Sequence, residues 1–515
     1  MLDVLIRDAT VYDGSGAAAR AVSVGILGDT IAHVGPPPSG ASAREVVSAP
    51  GLILCPGFID SHASTGLGHL LPGAADHKLR QGVTTEVIGN CGTSNAPLHP
   101  QARQHAAALG IDTPWQGMGS WLERLDAHGL PINLATHAGH NTLRAAAGAW
   151  QADLSAPQQA AMAAHLAEAL EAGALGLSTG LIYAPGCFAT TDEIIALARQ
   201  VAAAGGIYVS HIRDERAALS AAIEEALAIG AAAGLPTIIS HLKAAERPNW
   251  GAIPAILARL DRARAAGQAV TVEVYPYTAV STRLRAFLPI AAMAEGVAGL
   301  SRWLQAPDSV AAARAHLLAR GTDFQALTLI SEALPGARGQ TVAALSRQRQ
   351  QEPERVVIDA LRSDPETWVV YRCIDVADMD AALLWPDALV CSDSWSVPVN
   401  APRPVGDPHP RTYGAFTRFL ERYGLTGRLP LAAAIRKLTS LPAQWLGLPD
   451  RGRVAAGAAA DLVLLDPARV AERATYLQPR QLSEGTVQVW VNGTAMLHEA
   501  SLRPALPGRI LRRST

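Results

Sequence analysis

Aromatic side chains are scarce, at 5% of 515 residues, and no uninterrupted apolar run is long enough to cross a bilayer. A membrane-spanning chain is therefore excluded at this level. Neither sign of charge dominates. The formal net charge is −2, and no basic stripe with interleaved aromatics provides a footprint for nucleic acid. Cysteine is rare too: Cys55, Cys91, Cys187, Cys373 and Cys391 are odd in number and widely spaced, which argues against a disulfide framework. The first residues, MLDVLIRDATVYDGSG, alternate like a strand and lack the charged start and apolar centre of a secretion signal. A reducing cytoplasm is the expected location, and small molecules rather than nucleic acid or membrane are the expected partners. Oligomeric state is not encoded in any pattern we recognise.

What the sequence does contain is alanine, glycine and a repeated alternation. The length suits one large barrel with an accessory domain. Both ends are β-rich. Val4 to Ile6, Ala21 to Ile26 and Thr30 to Val34 read as short strands separated by turns, and AADLVLLD and VQVWVNGTAM near the far end share that character. Between them, short apolar runs alternate with helical stretches such as TTDEIIALARQVAAAG, which opens on a Thr cap with acids in its first turn and closes on Gly. The runs are LATHAG, ALGLSTG, GIYVSHI, PTIISHL, VTVEVYPY, TWVVYRC and ALVCSDS. Parallel strands need crossover helices, so this alternation predicts an α/β fold, a (β/α)8 TIM-like barrel over residues 57–444. A small β-sandwich domain is expected from residues 1–56 plus 445–515, since chain ends often lie together. The Arg-rich helical stretch at about 284–355 reads as an insertion or lid.

Five apolar runs end on a metal-capable side chain. These are His62 in PGFIDSH, Cys91 in EVIGNCG, His211 in YVSHIRDE, His241 in IISHLKAA and Asp393 in VCSDSW. Any one alone reads as a satisfied polar group, a small buried thiol or a helix cap. Their recurrence where strands end is the signal, because barrel active sites form at the C-terminal face of the strands. Imidazole, thiolate and carboxylate together suit zinc.

At this point the sequence resembles a known family. LILCPGFIDSH is similar to the entry into the first barrel strand of the amidohydrolase superfamily. QGVTTEVIGNCGTSNAPL, GALGLSTGLIYAPG, GGIYVSHIRDE, ISHLKAA, EVYPYTA and HPRTYGAF resemble its N-acyl-D-amino-acid deacylase (D-aminoacylase) branch, and GRVAAGAAADLVLLD resembles the return to the β-domain. The resemblance implies that Cys91, His211 and His241 hold a tightly bound zinc and that His62 is the first His of a His-x-His pair. It implies that Asp393 takes a proton from the zinc-bound water and later hands one to the leaving nitrogen. Lys243, Tyr275 and Arg411 then bind the substrate carboxylate, and Tyr183 stands near the scissile carbonyl. His137 and His140 in LATHAGHNTLR fall in a related segment and are weaker pocket-lining candidates.

One position departs from the pattern. The family has His-Thr-His, whereas this chain reads His62-Ala63-Ser64, and a neutral hydroxyl is a poor zinc ligand. One tightly held zinc is expected, with the second site weakened by Ser64. A smaller departure puts Ser394 and Trp395 where Gly usually follows the aspartate. The expected activity is hydrolysis of an N-acyl-D-amino acid to a carboxylate and a D-amino acid. The competing readings are another amide, lactam, ester or cyclic substrate on the same site, including a biosynthetic cyclisation or transfer, and a non-catalytic binding relative. The intact Cys91, His211, His241 and Asp393 argue against the last. Handedness, acyl group and side-chain preference are not written in the sequence.

Overall fold

The computed structural model describes residues 1–36, 42–293, 296–400, 409–499 and 501–512. Positions 37–41 and 294–295, inside the expected terminal domain and insertion, lie outside the described residues.

The middle of the chain builds a run of parallel strands in sequence order. Phe58–Asp60, Val83–Ile88 and Asn133–Thr136 pair in parallel. After His137 the chain re-enters as Ala138–Gly139, which pairs with Gly176–Gly180. Pairing then passes through Ile207–His211, Thr237–Ile239, Val270–Val274 and Leu389–Val390. First and last strands meet just past their ends, where Ala63 bridges Ser394 in parallel and the Ser64 N–H donates to the Ser394 carbonyl (3.0 Å). These strands are buried on both faces because helices cover them, so that even Thr84, Thr85, Glu86 and Ser210 lie inside. Val83–Ile88 and Ile207–His211 are buried at every position.

The helices between them begin and end as their sequences require. Thr190 caps Thr191–Ala203 by accepting from the Glu193 N–H (3.2 Å), with Asp192 and Glu193 in the first turn. Ser155 and Gln158 form a capping box at the start of Ala156–Glu171. Leu219–Ala233 stops at Gly234, whose φ of 70° is the left-handed stop that only glycine adopts freely. Among the described residues, no helix is long and apolar enough to cross a membrane.

Strands from both chain ends share one seven-stranded sheet, in which Leu462–Leu465 pairs on one side with Ile53–Pro56 and on the other with Thr486–Val491. A four-stranded sheet of Leu2–Arg7, Ser23–Leu27, Thr30–Gly35 and Ala43–Ser48 accompanies it.

One sequence expectation is corrected. The apolar run TWVVYRC is not a member of the parallel set. Trp368–Tyr371 is the centre of a separate antiparallel sheet between Val280–Arg283 and Leu327–Leu329. Val270–Val274 pairs instead with Leu389–Val390. A buried apolar strand looks alike in either setting, and the choice here is made by partners outside its own sequence. The described residues of 284–355 are largely helical, and they also contain Leu327–Leu329.

Candidate metal centre and anion pocket

Cys91, His241 and Asp393 sit immediately beyond strand ends with backbone φ of 52°, 35° and 46°. Non-glycine residues in this left-handed region carry strain that persists only where surrounding structure imposes it, and such residues cluster at functional sites. Around Cys91 the imposing feature is close packing. A Cβ at Gly92 would lie 2.3 Å from Asn141 Oδ1 and 2.6 Å from the Gly180 nitrogen. The GNCG segment is thereby folded tightly enough to turn the thiol into the centre.

Three imidazoles converge on that sulfur. His62 Nε2 lies 3.2 Å from Cys91 Sγ, and His241 Nε2 and His211 Nδ1 each lie 3.4 Å from it. Asp393 joins from the last strand, with Oδ1 3.7 Å from His62 Nε2. Burial alone would push the Cys91 thiol up, but the His62, His241 and His211 rings outweigh it and hold it well below the ordinary thiol range. For His62, burial disfavours the cation, yet the Glu273 and Cys91 charges outweigh burial and hold it well above the ordinary range.

The donor set fits a zinc ion. A tetrahedral zinc with usual Zn–S and Zn–N bond lengths separates its sulfur and nitrogen ligands by roughly 3.5 Å, close to the three separations here. Two overlapping groups have ligand atoms within 4.8 Å of one another: His62, Cys91, His241 and Asp393, and His211, Glu215 and His241. His211 Nε2 is buried without a hydrogen-bond partner.

Two acids whose roles have no motif in the sequence complete this arrangement. Glu273 Oε2 accepts from His62 Nδ1 at 2.6 Å, and Glu215 Oε1 lies 3.1 Å from His241 Nδ1. Each carboxylate leaves Nε2 of its histidine facing Cys91, the usual support of a metal-bound imidazole. Their only local signals were an acid inside the valine-rich VTVEV strand and an acid four residues after His211.

Arg411, Tyr275 and Asp393 form the adjoining wall. Arg411 Nη1 donates to Asp393 Oδ2 (2.9 Å), and its guanidinium lies over the Tyr275 ring, 4.6 Å from the centroid. Burial would raise the Asp393 carboxyl, but Arg411, then His241 and His62, pull it down to about 2. Arg411 Nε and Tyr275 Oη are both buried and have no hydrogen-bond partner among the described residues. Burial holds the Tyr275 phenol well above its ordinary range, so it is a donor at neutral pH. Lys243 stands differently from Arg411: its ammonium pairs with Glu215 and lies 3.0 Å from His241 Nδ1. Tyr183 is 46% exposed, and its ring is 4.9 Å from that of His211, edge-on at 64°.

The weaker candidates separate. His140 Nε2 lies 2.9 Å from Glu193 Oε1, which also binds Arg144, whereas His137 is buried with neither nitrogen paired. Ser64 has its backbone tied to Ser394 and Gly89.

A model of the family described as amidohydrolase matches residues 45–250 and 401–496. Over 517 aligned residues the chain is 38% identical to the N-acyl-D-glutamate deacylase of Alcaligenes xylosoxydans xylosoxydans, covering 99% of this chain and 97% of that one. The chain belongs to the amidohydrolase family. Within that family it is also 34% identical to the D-aminoacylase of the same organism, across 99% and 98% of the two chains. A solved D-aminoacylase with a binuclear metal centre superimposes with a TM-score of 0.82 at 32% identity, over 100% of both chains. The N-acyl-D-glutamate deacylase of Bordetella bronchiseptica, solved with zinc and a phosphonate mimic of the tetrahedral intermediate, gives 0.80 at 33% identity over 99% of both. These relatives place this amidohydrolase in the N-acyl-D-amino-acid deacylase branch.

Proposed function

We propose that this chain is a zinc-dependent hydrolase that cleaves an N-acyl-D-amino acid into a carboxylate and a D-amino acid. The observation that carries this reading is the pair of buried, unpartnered donors, Arg411 Nε and Tyr275 Oη, beside the Cys91–histidine cluster. An anchor for an anion next to a zinc-type donor set is what an acylated amino acid requires. The relatives' substrates agree with it.

In this reading Cys91, His211 and His241 hold the tight zinc, and His62 with Asp393 borders it. When bound, zinc supplies Lewis acidity toward the amide carbonyl and makes hydroxide available near neutral pH. Asp393 accepts the proton of the attacking water and returns one to the leaving nitrogen, help worth about a hundred- to ten-thousand-fold. Arg411 presents a planar fork suited to a carboxylate, and Tyr275 adds a neutral donor. Lys243, held by Glu215, contributes positive charge at the rim of this anchor. Tyr183 covers the His211 side and donates to the developing oxyanion. Ser64 supplies no imidazole, so a second ion is held weakly.

The architecture assigned with this function is a (β/α)8 barrel over 57–444, closed at Ala63–Ser394, with a β-sandwich from 1–56 plus 445–515 and a lid at about 284–355. The pairing of Leu462–Leu465 with Ile53–Pro56 supports the terminal domain. Five free cysteines favour a cytoplasmic setting.

The test is turnover of paired N-acetyl-D- and N-acetyl-L-amino acids by zinc-loaded protein. Hydrolysis confined to the D series is expected. No hydrolysis of either series by protein with measured zinc overturns the reading and shifts it to a diverged reaction on the same site.

A further inference from the structure

Arg411 opens the helix Arg411–Phe419, and two residues before it stands a further histidine, His409. His409 is 4% exposed. Its Nδ1 accepts the Arg411 backbone N–H at 2.9 Å, and its Nε2 lies 3.0 Å from the Ala279 carbonyl oxygen. A backbone N–H can only donate and a carbonyl can only accept. The two bonds therefore define one state of the ring, neutral with the proton on Nε2. Burial, then the nearby Arg411 charge, keeps His409 well below the ordinary histidine range, in agreement with this geometry.

The ring is fixed on its faces and edges as well. Tyr277 and Tyr476 meet it edge-on, at centroid distances of 5.1 Å and angles of 89° and 90°, and Tyr275 lies 6.3 Å away. His409 thus ties three separate segments together: the loop after Val270–Val274, which carries Tyr275, Tyr277 and Ala279; the start of the Arg411 helix; and Tyr476 near the terminal sheet. The anion pocket is made of side chains from two of those segments, since the Arg411 guanidinium rests on the Tyr275 ring.

We propose that His409 is a positioning residue for Arg411, holding the helix start that carries the guanidinium at a set distance from the loop that carries Tyr275. This rests on the deacylase reading only in that it takes the anion to be the substrate carboxylate. A histidine is suited to the task because its two nitrogens, on opposite sides of a rigid ring, satisfy an N–H and a C=O at once. The helix start would otherwise leave an orphan N–H among the rings of Tyr275, Tyr277 and Tyr476. A pocket whose anchor shifts by an ångström loses about a hundredfold in effective orientation, so the effect of losing this tie falls on carboxylate recognition.

The experiment uses the zinc-loaded full chain and three variants. Asn places an acceptor where Nδ1 stands and can bind the N–H two residues ahead, as in an Asx-turn; Gln reaches toward Ala279 but not back to Arg411; Ala does neither. KM and kcat are measured for an N-acetyl-D-amino acid and for its analogue lacking the carboxylate, an N-alkylacetamide. Binding of the N-acetyl-D-amino acid is measured by calorimetry in parallel, with zinc content and melting temperature as controls. The expected result is that H409A and H409Q raise KM and Kd for the carboxylate substrate about tenfold or more, that H409N stays within threefold of the parent, and that the uncharged analogue, which meets Arg411 only through its bond to Asp393, is affected several-fold less. Equal effects on both substrates, or no difference between H409N and H409Q, overturn the proposal and leave His409 as packing. Binding without turnover in the parent overturns the deacylase reading alone, because the Kd comparison still decides the role of His409. Neither binding nor turnover overturns both.

Discussion

Two polar clusters occupy opposite ends of the parallel strands, and they are finished differently. At the strand starts, Asp461 pairs with Arg451, its Oδ1 accepts the Asn492 N–H (2.7 Å) and its Oδ2 accepts from Asn133 Nδ2 (3.0 Å). Arg451 also binds Asn492 Oδ1 (2.8 Å). Asn492 Nδ2 in turn donates to Asn133 Oδ1 (2.8 Å) and to the Pro507 carbonyl (2.7 Å), and the Arg509 N–H donates to Asn133 Oδ1 (3.1 Å). That knot ties the third strand, the terminal sheet and the tail, and its hydrogen-bonding groups are almost all used. At the strand ends, thiol and imidazole atoms crowd one another, three backbones are strained, and Arg411 Nε, Tyr275 Oη and His211 Nε2 are unpaired. Buried polar groups that serve only stability find partners within the fold. The unpartnered groups at the strand ends stand beside the metal-capable cluster, where an ion and an anion are the partners they can take.

The sharpest way to break this contrast is to remove metal. Chelation is expected to abolish hydrolysis, with activity returning as zinc is restored, whereas the knot requires no ion. Retained activity in protein shown by metal analysis to be free of zinc would refute the proposed centre. Next is Asp393→Asn, which keeps size and the Arg411 contact but removes the base. A loss of about a hundred- to ten-thousand-fold in kcat, with zinc content and melting temperature preserved, is expected.

The same conservative exchange at the other end gives the opposite phenotype. Asp461→Asn removes the buried counter-charge of Arg451, leaving only the exposed Asp450 carboxylate at 3.5 Å, and costs about 3–5 kcal/mol of stability, read as a lower denaturation midpoint. Below that midpoint the folded fraction should retain the parent's kcat. A catalytic defect in folded D461N would mean that the two ends are coupled and that the contrast is drawn too strongly.

The two ends were also unequally legible in the sequence. His62, Cys91, His211, His241 and Asp393 could be read because each is a local event, an apolar run that stops on a metal-capable residue, repeated at intervals. The structure gathers all five. Glu273 and Glu215 sat in quoted segments but had no assignable role, since the contact from His62 to Glu273 spans 211 residues and leaves no local trace. Asn133, Asp461 and Asn492 were invisible for the same reason. Trp368–Tyr371 was read into the wrong sheet, because strand pairing depends on neighbours rather than on the strand's own pattern. Strands from the two β-rich ends do share one sheet, since short strands bounded by turns at both termini have few other places to pair.

A smaller effect sharpens the role of the anion wall. Arg411→Lys keeps a positive charge but loses the planar fork and the ring stacking. KM for the carboxylate substrate should rise about ten- to a hundredfold, more than kcat falls. A reversed split, with kcat falling alone, would make Arg411 a partner of Asp393 and not of the substrate.

The smallest effect concerns a third kind of buried polar residue, one that is neither networked nor offered to a ligand. His77 is buried against Tyr413, with ring centroids 5.0 Å apart, and neither nitrogen has a hydrogen-bond partner among the described residues. Burial, then Lys78, lowers it to about 3 from an ordinary 6.5. A base depressed in this way stays neutral in the native state while the unfolded chain takes up a proton. Its stability contribution is therefore complete above pH 6.5 and is lost as pH falls from 6.5 toward 3, by at most about 1.4 kcal/mol per pH unit. His77→Phe removes that proton uptake and keeps the ring contact. Plotted against pH from 7 to 4, the denaturation midpoint of H77F should fall less steeply than that of the parent. Parallel curves would show that His77 reaches water in the native state, and that an unpaired nitrogen in this fold does not by itself mark a dry site.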